Sequence, residues 1–188
     1  FPPERSLLHP LSGMGFTYLA TGWINELSPR DGRLRLHAPI VGSAEQRITG
    51  QVRYEVSVGA TADKLNIAGN GHLAYEPTVA GLASASLTRR LYQDDPRLPV
   101  ERSQFQLEVV AENDSNQPIV NLSVAGGFQP GMLYELVYEA RNPVLAGAGM
   151  TAIRDMVSAI RFGDDAADEL SQLGLSDIES TVAWGNSQ

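Results

Sequence analysis

Thr181-Val182-Ala183-Trp184-Gly185-Asn186-Ser187-Gln188 is the stretch whose reading decides how the rest of this sequence is understood. Four β-prone, mostly apolar residues run into Gly-x-Ser-x. A strand ending this way opens the sharp strand-to-helix turn that presents a nucleophilic serine. The backbone bends so tightly there that small residues are needed two before and two after the nucleophile, and Gly185 fills the first of those places. Ser187 would then be the nucleophile, with the backbone N–H of Gln188 as half of an oxyanion hole. The same residues also fit a plain Gly-Asn turn after a strand, so the remaining sequence has to weigh in.

Working backwards, Asp164 to Leu173 reads as an acidic helix closed by Gly174, its carboxylates favouring the positive end of the helix dipole. Before it, Met150, Ile153, Val157 and Ile160 recur at spacings of three and four, which places them on one face of a helix. The small residues Ala146-Gly147-Ala148-Gly149 would let the start of that helix lie close to a sheet. At the other end, Leu7, Leu8 and Leu11 lead into Gly13 as the tail of a helix, and Phe16–Thr21 follows as a short buried strand.

Between these ends the texture is β. Leu34, Leu36 and Ala38 alternate with polar residues, as do Val52, Tyr54, Val56 and Val58. Ser86–Leu91, Ser103–Val110, Val120–Val124 and Leu133–Tyr138 are further strand candidates, separated by turn clusters such as Asp94-Asp95-Pro96 and Gln129-Pro130-Gly131. Alternation of this kind belongs to antiparallel sheets with one wet face. The expected architecture is therefore α/β, a partial, mostly parallel sheet with a large antiparallel β-rich insertion. Its pieces are residues 1–32 (helix tail and strand), 33–141 (insertion) and 142–188 (helices, strand and the start of the serine turn).

Composition sets outer bounds. The 188 residues suffice for one sizeable core, and a net charge of −8 argues against a nucleic-acid partner. The absence of cysteine excludes disulfides, thiolate catalysis and cysteine-ligated zinc. No apolar run approaches the ~20 residues of a membrane span. A first residue other than Met and a serine turn cut short at Gln188 suggest a piece of a longer protein.

The run Gly126-Gly127-Phe128-Gln129-Pro130-Gly131-Met132-Leu133-Tyr134-Glu135-Leu136-Val137-Tyr138 resembles a segment of the bacterial alpha/beta hydrolase domain-containing proteins. So does Gly147-Ala148-Gly149-Met150-Thr151-Ala152-Ile153-Arg154-Asp155 followed by Val157-Ser158. Gly15-Phe16-Thr17, Gly22-Trp23 and Asp31-Gly32-Arg33-Leu34 fit the same pattern, and Gly185-Asn186-Ser187-Gln188 fits the opening of that group's elbow. The resemblance implies an α/β-hydrolase sheet and a carboxylic ester hydrolase working through an acyl-enzyme, with no cofactor and no metal. It implies that the second oxyanion donor lies upstream of Phe1 and the acid and histidine lie downstream of Gln188. The partners are then a small-molecule ester and the remaining portions of the same hydrolase, and this chain alone would be inactive.

Other residues carry less. His9, His37 and His72 read as surface or structurally satisfied histidines, not as the base. Arg154-Asp155 reads as an ion pair, and Gly126-Gly127 as a turn. Trp23 and Trp184 stand at the ends of expected strands, where an α/β sheet opens its ligand crevice, so substrate contact competes with core packing for both. The alternative function is a non-catalytic binding or structural protein that uses the β-rich middle on a hydrolase-like scaffold.

Overall fold

Alternation in the middle of the chain becomes eight strands in the computed structural model, which describes residues 13–42, 47–69, 72–111, 117–162 and 178–183. They are β1 (Thr49–Ser57), β2 (Ala62–Asn66), β3 (Glu76–Pro77), β4 (Ser86–Arg90), β5 (Leu98–Val100), β6 (Phe105–Val110), β7 (Ile119–Phe128) and β8 (Leu133–Arg141). Two α-helices accompany them among the described residues, α1 (Val79–Ser84) and α2 (Ala148–Phe162). The chain divides into two compact units. The first draws on residues 1–24, 32–36 and 146–188, and the second on residues 25–31 and 37–145.

Every strand among the described residues lies in the second unit. One sheet runs β1-β8-β4-β5, with β3 also paired to β8, and the other runs β2-β7-β6. The chain changes sheet between β1 and β2, β2 and β3, β5 and β6, and β7 and β8, the last at the Gln129-Pro130-Gly131 turn, where Gly131 takes a φ of 83°. Leu87, Tyr134, Leu136 and Tyr138 from one sheet and Phe105, Val120, Leu122 and Phe128 from the other form a single buried cluster. Phe128 and Tyr134 meet edge to face, their ring centroids 4.9 Å apart. Tyrosines inside this core need partners for their hydroxyls, and find them. Tyr138 Oη donates to the Tyr75 carbonyl at 2.7 Å, the Tyr75 N–H donates to Tyr54 Oη at 2.8 Å, and the Gln129 N–H donates to Tyr134 Oη at 3.1 Å. Burial raises the pKa of both Tyr54 and Tyr138, so these phenols stay protonated.

The α/β expectation is overturned. All six strand pairings are antiparallel, so among the described residues there is no mostly parallel, hydrolase-type sheet. Phe16–Thr21, expected to be a buried strand of that sheet, lies outside any ladder, and Phe16 is 56% exposed. Residues 181–183 likewise form no ladder. The alternation at Leu34, Leu36 and Ala38 yields only isolated bonds, such as Leu36 N–H to the Ile24 carbonyl at 3.0 Å. The physical reason is that β-propensity measures fit to a pleated surface, not the presence of a neighbour. Parallel pairing requires a crossover of a dozen or more residues returning to the same sheet, and no such βαβ unit forms among the described residues.

Candidate functional site

Of the residues expected to carry chemistry, Ser187, Gln188 and Trp184 lie outside the described residues, as do His9 and the acidic run at 164–173. Trp23 is described and lies partly exposed in the first unit. Its backbone is closely approached by the start of α2. A Cβ on Gly149 would stand 2.3 Å from the Trp23 carbonyl oxygen, closer than any side chain can sit. The small-residue run before α2 thus serves a close approach, against an irregular segment, not a sheet. Arg154 and Asp155 form an exposed ion pair on α2 at 2.6 Å. His37 is exposed, and the His72 backbone is held by Gly69 and Asn66. Gly126 and Gly127 take φ values of 80° and 78° inside β7, where the pairing with β2 slips between Ala62 and Lys64. They form an irregularity in a strand, the conformation glycine tolerates best, and not a turn between strands.

The structure's densest set of charges is one that sequence reasoning missed. The register of the larger sheet sets Glu135 directly opposite Glu55 on β1 and Thr88 on β4. Two carboxylates so placed repel. Arg90 resolves this, bonding Glu55 through Nη2 and Glu135 through Nη1 at 3.3 Å, with its side chain only 1% exposed. Arg97, arriving from the β4–β5 loop, holds Glu135 with two bonds of 2.9 and 3.1 Å. Arg53 on β1 approaches the same carboxylate at 3.6 Å. The Arg97 guanidinium, followed by that of Arg90, holds the Glu135 carboxyl below the usual carboxylate range against the opposing effect of burial.

Chemically this cluster ties strands together. Each carboxylate is matched to a guanidinium, and a saturated carboxylate held ionised is a poor general base or acid. The sequence signal for it was faint: Glu55, Arg90 and Glu135 are far apart along the chain, and only the strand register brings them to one face. A second polar tie joins Asn25, Ala38 and Gln117 within the same unit. Asn25 Nδ2 donates to Gln117 Oε1 at 2.9 Å, and Asn25 Oδ1 accepts from the Ala38 N–H at 2.8 Å.

No protein family, no curated protein and no solved structure matches this chain. Among the described residues no helix is long and apolar enough to cross a membrane, and no group of His, Cys, Asp or Glu is arranged to hold a metal.

Proposed function

We propose that this chain contributes the nucleophile of a serine hydrolase acting on carboxylic esters, and that Ser187 is that nucleophile. The observation carrying this reading is the sequence Thr181–Gln188, an apolar run entering Gly-x-Ser-x, in series with the other segments that resemble the bacterial hydrolase group. The serine–histidine–carboxylate chemistry itself recurs on unrelated folds. The close fit of Gly149 on Trp23 supports it indirectly: segments before and after the β-rich middle come together in one unit, as they do when a domain is interrupted by an insertion.

In the proposed mechanism Ser187 Oγ attacks the acyl carbon while a histidine takes its proton. The Gln188 N–H and a second backbone donor hold the oxyanion, each such donor contributing ~3 kcal/mol in comparable sites. The alcohol leaves, and water then releases the acyl group from Ser187. A serine is a weak nucleophile without its base, so the histidine and its carboxylate partner are required. The described histidines, His37 and His72, make no ion pair with a carboxylate among the described residues, and neither is assigned the role.

A second reading is a non-catalytic binding or structural protein, favoured by the concentration of the buried apolar core in the second unit. A fluorophosphonate probe applied to the full-length protein separates the two. Labelling mapped to Ser187 and lost in Ser187→Ala is the expected result. A folded protein that takes no label at Ser187 would overturn the hydrolase reading in favour of the second.

A further inference from the structure

Strand β1 is nine residues long and pairs with β8 on one side only; among the described residues no strand covers its other edge. A long, open edge is a template for another strand, and proteins guard such edges with charge. The guards on β1 are Arg53 and Glu55, both exposed and both on the outer face of the sheet. A strand guarded by one sign of charge repels every copy of itself. This pair, two residues apart and of opposite sign, does not.

We propose that the free edge of β1 is an interface with a second copy of this chain, the two β1 strands pairing antiparallel about a two-fold axis at Tyr54. Partners across an antiparallel ladder lie on the same face, so a two-fold axis must pass beside a residue paired with its own copy. With the axis at Tyr54, Arg53 of each copy faces Glu55 of the other, Val52 faces Val56, and Gln51 faces Ser57. Moving the axis by one residue, to Arg53 or to Glu55, sets two arginines or two glutamates directly opposite. Cross-strand pairs of opposite charge stabilise and like charges destabilise, so the charges select the Tyr54 register over its two neighbours.

Packing agrees with the charges. Val52, Tyr54 and Val56 are only half-buried at the margin of the core, with Val52 and Tyr54 packed against it. In the proposed register each copy covers these residues of the other. Arg53 is also free to reorient, being 63% exposed and meeting Glu135 only at 3.6 Å. The inference is independent of the hydrolase reading, because it uses neither Ser187 nor any residue of the first unit.

The chain has no cysteine, which gives a clean background for cross-linking. Gln51→Cys and Ser57→Cys are prepared as separate proteins, both positions being exposed. Directly opposed residues on antiparallel strands lie ~4.5–5.5 Å apart between Cα atoms, within disulfide range. On mild oxidation the mixture of the two should yield a disulfide heterodimer, while each protein alone stays uncross-linked. Sedimentation equilibrium of the unmodified chain should show a monomer–dimer equilibrium. Arg53→Glu should weaken it by roughly tenfold or more, since both cross-strand pairs become repulsive. Arg53→Lys should retain it. A chain that remains monomeric up to about 0.5 mM overturns the proposal, that being weaker than even a marginal specific contact. So does a dimer that cross-links as readily within each single-cysteine protein as between them. If Arg53→Glu fails to fold, the cysteine mixture still decides.

Discussion

The two units differ in what they do with apolar side chains. Between Thr49 and Arg141 those that point inward from the two sheets are buried: Leu87 and Leu136 are 1% exposed, and Val120 is fully covered. In the first unit they do not. Leu19 is 51% exposed and Phe162 is 72% exposed, and the described residues of that unit classed as buried are two glycines, Gly22 and Gly149. Similar residue types thus make a core in one unit and none among the described residues of the other. The difference lies in pairing: each β-prone run of the second unit has a ladder partner, whereas Phe16–Thr21 has none.

The largest expected effect comes from the charged tie inside the cored unit. Arg90→Ala leaves Glu55 and Glu135 facing each other across β1 and β8 without their shared cation. Removing one partner of a buried pair costs roughly 3–5 kcal/mol. Urea unfolding of the variant should show a loss of that order. A loss below about 1 kcal/mol would mean that Arg53 and Arg97 suffice, as they would at an exposed pair.

Acid should weaken the same unit. The Glu135 carboxyl lies below its ordinary pKa chiefly because of Arg97, and that of Glu76 because of Arg141. A depressed carboxylate contributes stability that is fully present above the unfolded-state pKa, and that stability is lost as pH falls through the folded value. The urea midpoint should therefore hold steady from neutrality down to the ordinary carboxylate pKa near ~4.3, and then fall as pH drops further. Glu135→Gln should flatten that fall, and an unchanged acid profile would remove Glu135 from the account.

Smaller in extent is the expected effect at the close fit of Gly149 in the first unit. Gly149→Ala places a methyl group where the Trp23 carbonyl already is, so α2 or the segment at 22–24 must shift. Overpacking of this kind typically costs ~1–3 kcal/mol. Faster hydrogen exchange at residues 22–24 and at the start of α2, with β8 unaffected, is the expected pattern. Unchanged exchange at both would show that the contact does not order the unit.

The strands were legible where local pattern and pairing coincide. Tyr134, Leu136 and Tyr138 alternate with outward residues and form the centre of the larger sheet, and the Gln129-Pro130-Gly131 turn stands where the chain changes sheet. The helix from Met150 to Ile160 was legible from its spacing. Phe16–Thr21 shows why the parallel sheet was not foreseeable as wrong: its residues are as β-prone as those of β8, and nothing within six residues states whether a neighbour exists. Three short strands escaped notice: β2 and β3 because Ala62–Asn66 and Glu76–Pro77 lack an apolar alternation, and β5 because Leu98–Val100 is three residues long with Pro99 at its centre. The ionic cluster could not be read from the sequence, because the contact of Arg90 with Glu135 is a product of register between distant strands. Of the candidate catalytic site, Ser187 and Gln188 remain sequence expectations, and Trp23 is placed by its backbone against Gly149.

The smallest expected effect tests the contrast most directly. Leu19→Ala and Leu136→Ala remove the same atoms from the two units. At Leu136 the loss is that of a packed core residue, ~2–5 kcal/mol, because the neighbouring strands cannot fully collapse onto the cavity. At Leu19 the side chain is already half in water, and an exposed truncation away from caps, ion pairs and strained backbone stays within about 0.5 kcal/mol. The ratio between the two variants, read from urea midpoints of the same chain under the same conditions, therefore measures how unequal the units are. If Leu19→Ala costs more than about 1 kcal/mol, Leu19 is covered in solution, and a partner surface for Phe16–Thr21 has to be sought. If it costs nothing, Leu19 is as open to water in solution as in the structure, and the contrast with Leu136 stands.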